Sequence, residues 1–291
     1  MHLPFKSIGL FIRKDDPILE NAVLQVCDYL KSQSLTIFIN EPLHFLPDID
    51  VISLNKFAAN CDLIIAIGGD GTLLSASRAL AGSNCPLVGV NVGRLGFLAD
   101  IALANLEPQL TKILSGHYRE DSRFLMQATL NGSELPIGKA MNDIVVHAYH
   151  GLHMIEFETY IDGKFLNSQR ADGILVATPT GSTAYSMSAG GPILDVDSNL
   201  DALILASVCP HTLSNRPLVI AANRVVEITL SEKTTSPCMI TCDGRPGHIL
   251  QANDTIRIQR DPKTIKLLHA EDHDHYSILR AKLEWGRKLT C

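Results

Sequence analysis

The apolar run at residues 63–67 stops at Gly68-Gly69-Asp70-Gly71-Thr72, and a segment of helical character at 73–81 follows at once. Three glycines in five residues let the backbone turn tightly and approach a ligand closely. The helix start behind them offers free N–H groups and a positive dipole end to an anion. Such a unit commits the chain to strand, tight loop and helix in that order, the opening of a parallel β-α-β crossover. The flanking sequence keeps the same alternation. Residues 8–12 read as a strand, and Asp15-Asp16-Pro17 then offers N-cap acceptors and a proline suited to the first helical position. Leu19, Val23, Val26 and Leu30 recur at helical steps as one apolar stripe. Runs at 35–39 and 86–90 are further strands, and 103–114 a further helix. Together they predict a parallel sheet covered by helices, an α/β domain over residues 1–120.

After about residue 120 the texture changes to short runs rich in β-branched and aromatic residues, at 143–148, 154–161, 173–177, 225–230, 238–242 and 255–260. Asn131-Gly132, Asp162-Gly163 and Asn253-Asp254 punctuate them as turns. An antiparallel, β-rich domain over 121–275 follows from this pattern. Residues 276–291 regain helical character, with Ile278, Leu279, Leu283 and Trp285, and are expected to pack back on the first domain. A length of 291 residues suits two such domains.

Hydrophobic residues make up 46% and charged residues 19%, the balance of an ordinary globular chain, which excludes disorder. Twenty-five Lys plus Arg against 31 Asp plus Glu give a net charge of −6, which argues against nucleic acid as a partner. The apolar runs fall well short of the roughly 20 residues needed to cross a bilayer, so no membrane partner is expected. Lys6 interrupts the N-terminal apolar stretch and no small-residue cleavage site follows, so this stretch reads as a first strand and the protein as cytoplasmic. Seven cysteines without framework spacing read as reduced thiols, with Cys238 and Cys242 in the core.

The glycine loop fits neither G-x-x-x-x-G-K-[ST] nor G-x-G-x-x-G. Its unusual member is Asp70. A carboxylate among phosphates repels them unless it holds a metal or takes a proton, so Asp70 points to phosphoryl transfer with a base facing a substrate hydroxyl. A simpler use is open at the same position, since Asp70 or Thr72 can cap the helix. A second feature, Thr178-Pro179-Thr180-Gly181-Ser182-Thr183-Ala184-Tyr185-Ser186, sets five hydroxyls and a tyrosine around a glycine. These groups suit ribose and phosphate oxygens, and they also suit a Ser/Thr turn that caps itself. Arg170 and Asp172 just upstream can meet a phosphate and a ribose hydroxyl, or form a surface ion pair. Asn142-Asp143 is a similar polar pair, and Asp243-Gly244-Arg245 reads first as a turn. His269, His273 and His275, with Glu271, Asp272 and Asp274, look like a metal tract, yet spacing fixes no third ligand and no metal is assigned there.

Gly68–Thr72, Gly93-Arg94-Leu95-Gly96-Phe97-Leu98, Asn142-Asp143, Arg170-Ala171-Asp172-Gly173 and the turn through Ser188, in this order, closely resemble the bacterial NAD kinases over nearly the whole chain. The resemblance implies an α/β domain plus a β-sandwich-like domain, a NAD kinase and diacylglycerol kinase-like fold with the site in the cleft between them. It implies phosphorylation of the 2′-hydroxyl of the adenosine ribose of NAD, giving NADP. The donor is ATP or, in some members, polyphosphate, with a divalent metal ion such as Mg2+, in a homo-oligomer (dimer or tetramer) whose neighbouring subunit often completes the site. By position Asp70 matches the proton acceptor and Gly71 its companion in NAD binding, with Gly68, Gly69 and Thr72 around them as further nucleotide contacts. Asn142 and Asp143 match paired NAD contacts, and His153, Arg170 and Asp172 match further nucleotide contacts. Thr183, Ala184, Tyr185, Ser186, Met187 and Ser188 cover the adenosine-binding turn. Asp143 stands where many members carry Glu. Arg245 stands where many carry Gln, and there an arginine can meet the new 2′-phosphate. His211 lies in a block that also resembles the family and reads as structural or cleft-lining. Gly68–Thr72 alone is shared with diacylglycerol-type lipid kinases, and a non-catalytic NAD(P)-binding sensor is a third reading. The polar turn suits a nucleoside better than a lipid, and Asp70 speaks against a silent sensor.

Overall fold

Every residue of Leu63–Gly68 is buried, a pattern that suits a central strand with both faces covered. Around it the chain runs β1 (Ser7–Ile12), α1 (Leu19–Ser32), β2 (Thr36–Ile39), β3 (Asp50–Val51), α2 (Leu54–Asn60), β4 (Leu63–Gly68), α3 (Asp70–Leu80), β5 (Leu87–Asn91), β6 (Ile101–Ala102) and α4 (Leu106–Leu114). This is a computed structural model, and it describes residues 4–13, 19–94, 96–149, 153–198, 200–234 and 236–286. The expected helix start at Asp15-Asp16-Pro17 lies outside the described residues. The strands pair in parallel in the order β3-β2-β1-β4-β5, and β6 continues in parallel beside the end of β5. Helix α1 buries its predicted stripe together with Ala22 and Cys27. That face packs in one core with Ile8, Leu10, Leu63, Ile65 and Val88 of the strands.

The chain continues through β7 (Tyr118–Leu130), β8 (Ser133–Ala140), β9 (Asp143–Ala148), β10 (Ile155–Ile161), β11 (Lys164–Ala171), β12 (Gly173–Ala177), α5 (Tyr185–Ser188), β13 (Ala202–Val208), β14 (Leu218–Ala221), β15 (Val226–Leu230), β16 (Cys238–Cys242), β17 (Arg245–Leu250) and β18 (Thr255–Ala270), and ends in α6 (His275–Leu283). One antiparallel sheet has the order β14-β13-β12-β9-β16-β17. Strands β11, β10, β15 and β18 form an antiparallel set, joined at β18 by the β7–β8 hairpin. Ile144, Val146, Ile174, Val176 and Ile240 of the first sheet share a core with Phe157, Ile228, Ile256 and Ile258 of the second, which makes a β-sandwich. The alternating burial of β15 and β16 is what a strand with one covered face requires. Asn131-Gly132, Asp162-Gly163 and Asp243-Gly244 all have positive φ, the backbone of tight two-residue hairpins.

Two compact units result, residues up to Ser122 with those from Ile265 onward, and Arg123–Thr264. The second boundary lies before 275 because β18 changes neighbours within its length. Leu267 pairs in parallel with Leu87 of β5, whereas Thr255 to Ile258 pair with β15. Among the described residues no helix is long and apolar enough to cross a membrane.

Candidate active site

Strand β4 delivers Gly68 with φ +152°, and a Cβ there would lie 2.3 Å from Thr72 Oγ1, so only glycine fits. Helix α3 starts at Asp70, three residues earlier than periodicity predicts, with Gly69 as an extended N-cap that lends no side chain. The Asp70 carboxylate does not cap its own helix. Its Oδ2 accepts from the N–H of Phe97 at 2.8 Å, and its Oδ1 from those of Leu98 and Ala99 at 3.1 and 3.0 Å. Gly96 is the residue that lets this loop close in, since a Cβ there would sit 1.9 Å from Asp70 Oδ1. Asn91 steadies the same loop by donating to the carbonyl of Arg94 at 2.8 Å. A carboxylate has about four acceptor directions, so three N–H donors orient Asp70 and leave one direction open. Gly71 is exposed, and Arg13 stands beside it, with a terminal nitrogen 3.7 Å from where a Cβ would be. Sequence reasoning did not single out Arg13, whose only signal was its place directly after a strand of the same sheet.

A resident metal would need ligands at this loop. Among the described residues the one group of three or more His, Cys, Asp or Glu side chains that could hold an ion is Asp100, His269 and His273. Asp70 is not in that group, so the loop holds no preformed three-ligand site and no step is derived through a resident metal.

In the second unit, the β16–β17 hairpin presents Asp243, whose carboxylate accepts from the N–H groups of Met141, Asn142 and Asp143 at 3.1, 2.7 and 3.3 Å. This contact spans about a hundred positions of sequence, and the hairpin reading of Asp243-Gly244 carried no local signal of it. Asp143 is buried at 5% exposure. Burial first, and the neighbouring Asp243 charge second, push its carboxyl up to about 7, against the N–H of Tyr185, which donates to it. Asn142 Oδ1 and Ser186 Oγ are buried without a hydrogen-bond partner.

The hydroxyl-rich turn divides into a structural and an outward part. Thr178 donates to the carbonyl of Met141 at 2.5 Å and accepts from Gly181 N–H. Ser182 donates to Pro179 and accepts from Leu194, and Thr180 accepts from Arg123 at 3.2 Å. These hydroxyls fasten the turn, the self-capping use that the sequence left open. Gly181 is required because a Cβ there would lie 2.1 Å from the carbonyl oxygen of Asn142. Of the expected adenosine turn, Tyr185 and Ser188 are exposed, Thr183, Ala184 and Met187 half-buried, and Ser186 buried. Burial, then Cys209, Asp172 and Asp143, raises the Tyr185 phenol, so the side chain shares its surroundings with all three. Asp172 also accepts from the Cys209 thiol.

Arg170 is 3.7 Å from Glu156 across the β10–β11 pair, the surface ion pair left open above, and His153 is exposed ahead of β10. Arg245 turns inward. Its guanidinium donates to the carbonyls of Cys242, Ile137 and Lys139 at 3.3, 3.4 and 3.1 Å, tying the hairpin to β8.

Residues 8–118 match the family model for the ATP-NAD kinase N-terminal domain, and residues 141–270 match that for the ATP-NAD kinase C-terminal domain. The NAD kinase of Nitrosococcus oceani is 51% identical, covering 99% of this chain and 100% of that protein. The NAD kinase of Hahella chejuensis is 42% identical, covering 97% and 96%. Two solved structures share the fold at 23% identity. One is yeast NADH kinase complexed with NADH (TM-score 0.86, covering 99% of this chain and 90% of that one). The other is a NAD kinase from Archaeoglobus fulgidus in complex with ATP (TM-score 0.74, covering 96% and 98%).

Proposed function

Because this chain belongs to the NAD kinase family, we propose that it transfers a phosphoryl group from ATP to the 2′-hydroxyl of the adenosine ribose of NAD, with Asp70 as the base. The enzyme phosphorylates NAD to NADP. The observation that carries the role of Asp70 is its orientation at the glycine loop by three N–H donors from Phe97 to Ala99. The carboxylate takes the proton as the 2′-oxygen attacks the γ-phosphorus, the bond to the β–γ bridging oxygen breaks, and ADP leaves. N–H groups at the start of α3 and the Arg13 guanidinium are suited to the charge on the transferring group. ATP brings its own divalent cation, Mg2+, as part of the substrate.

Asn142, Asp143, Asp172 and the turn residues Thr183 to Ser188 are assigned to NAD. Asp143 accepts from a nucleotide hydroxyl or amide, the unpartnered oxygens of Asn142 and Ser186 offer further polar contacts, and the exposed Tyr185 ring suits a base. Arg170 and His153 are assigned weaker contacts at the margin. Arg245 serves the hairpin. A homo-oligomer in the cytoplasm is the setting that the family resemblance supports. The lipid kinase reading rested on the glycine loop alone, and neither it nor the silent-sensor reading is supported by the relatives matched over the whole chain.

The test is Asp70→Asn. NADP formation should fall about 10²–10⁴-fold in kcat, the usual worth of a general base, with NAD affinity by calorimetry within a few-fold of the parent. Turnover close to the parent's would remove Asp70 from the role.

A further inference from the structure

The histidine tract is not among the residues assigned to this reaction, yet two of its three histidines are gathered. His269, next to last in β18, points Nδ1 at Asp100 Oδ2, 2.8 Å away. His273, in the turn before α6, brings Nδ1 to 2.6 Å of the same oxygen. The two rings stack at 4.2 Å. On the opposite side of His269, Nε2 stands 3.6 Å from Asp121 Oδ2 and has no hydrogen-bond partner. All four side chains are only 7% to 9% exposed. His275 opens α6, whereas His273 turns back onto β18.

We propose that Asp100, His269 and His273 form a binding site for a divalent cation of the zinc class, with Asp100 Oδ2 and the two Nδ1 atoms as ligands and Asp121 orienting His269 from behind. Two imidazoles and a carboxylate are a donor set that zinc, cobalt and neighbouring ions accept, whereas magnesium and calcium prefer oxygen alone. The three ligand atoms already lie within 4.8 Å of one another. Metal–ligand bonds of about 2.0–2.2 Å place neighbouring ligand atoms a little over 3 Å apart, so small side-chain movements admit the ion. Asp121 behind Nε2 completes the carboxylate–histidine–metal arrangement that fixes which ring nitrogen carries the proton. Charge favours the same occupant. Two nearly dry carboxylates face two imidazoles, and the neighbouring lysines pair elsewhere, Lys112 with Asp272 and Lys266 with Glu120. The site also adjoins the reaction. Asp100 directly follows Ala99, whose N–H holds Asp70, so an ion on Asp100 stiffens the end of that loop.

The test uses the full chain, freed of metal by a chelator and without nucleotide, titrated with cobalt(II) alone. One ion per chain should bind with the visible ligand-field bands of a nitrogen- and oxygen-ligated cobalt, zinc should displace it stoichiometrically, and excess magnesium should not. His273→Gln, checked for fold by circular dichroism, should lose the bands and weaken zinc binding by more than about tenfold. Asp121→Asn should weaken zinc by about 10–100-fold, as loss of an outer partner does. His248→Gln, exposed on the second unit, should leave binding unchanged. Absence of one-to-one cobalt binding by the parent would overturn the proposal and leave a buried imidazole–carboxylate pair. So would parental affinity in folded His273→Gln.

Discussion

Asp143 is the side chain whose proton the fold controls most visibly. Its carboxyl is pushed up from the ordinary 3.8 to about 7, first by burial and then by Asp243. Between these values the native state keeps a proton that the unfolded chain has lost. The stability it contributes is therefore full below about pH 4 and is lost as pH rises through about 7, by at most about 4 kcal/mol for a shift of roughly 3 units. Asp143→Asn carries no such proton. Urea midpoints measured from pH 5 to 8 should vary less in this variant than in the parent, and at pH 8 the variant should be the more stable of the two. Equal slopes in both proteins would show that Asp143 is ionised throughout. Asp70 was legible in the sequence as a carboxylate inside a glycine loop and Asp143 as half of a polar pair, because residue type and immediate neighbours are local signals. Their settings were not legible, because the groups that decide them, Asp243 for one and the N–H groups of Phe97 to Ala99 for the other, stand far along the chain. Arg245 shows the same limit from the other direction. A guanidinium suited to phosphate is engaged by carbonyls that no spacing rule could name.

At the scale of elements, the turn after β12 is held by a single close approach. A Cβ at Gly181 would lie 2.1 Å from the carbonyl oxygen of Asn142, and that oxygen already accepts from Thr178 N–H, so neither partner can give way cheaply. Gly181→Ala should cost about 1–3 kcal/mol of stability, as overpacking does, and should raise KM for NAD because Asn142 and the 183–188 turn move apart. Gly163→Ala is the control. Gly163 has φ +74° in a hairpin with open space around it, so the substitution should cost about 1 kcal/mol and leave KM unchanged. An equal KM shift in both variants would detach the turn from NAD binding. Most elements were legible because burial on one face or both leaves period-two, continuous or helical patterns, as in β15, β4 and α1. The long strands were not. β18 runs over sixteen residues, yet only its first six read as strand, because Asp261-Pro262-Lys263 looks like a terminator. The strand passes through that tripeptide with Asp261 buried and paired to Lys139 at 2.6 Å.

At the scale of the molecule, a net charge of −6 and a substrate rich in phosphate are reconciled by where the cations are. In the second unit Arg170, Arg224, Arg257 and Arg260 each face a carboxylate, so they add little positive field there. Apart from the marginal Arg170 and His153, the groups assigned to NAD are hydroxyls, amides and carboxylates, whose hydrogen bonds salt does not screen strongly. The glycine loop differs, since Arg13 stands beside Gly71 where ATP phosphates are proposed to lie. Raising KCl from about 0.05 to 0.5 M shortens the screening length from well above 10 Å to a few ångströms. Over that range NAD affinity should stay within about threefold, whereas KM for ATP should rise further. Arg13→Gln should raise KM for ATP at low salt and flatten its salt dependence. A fall in NAD affinity of more than about tenfold would instead place a cationic clamp on NAD, and Arg170, with its weak and exposed pairing to Glu156, would be the first side chain to substitute.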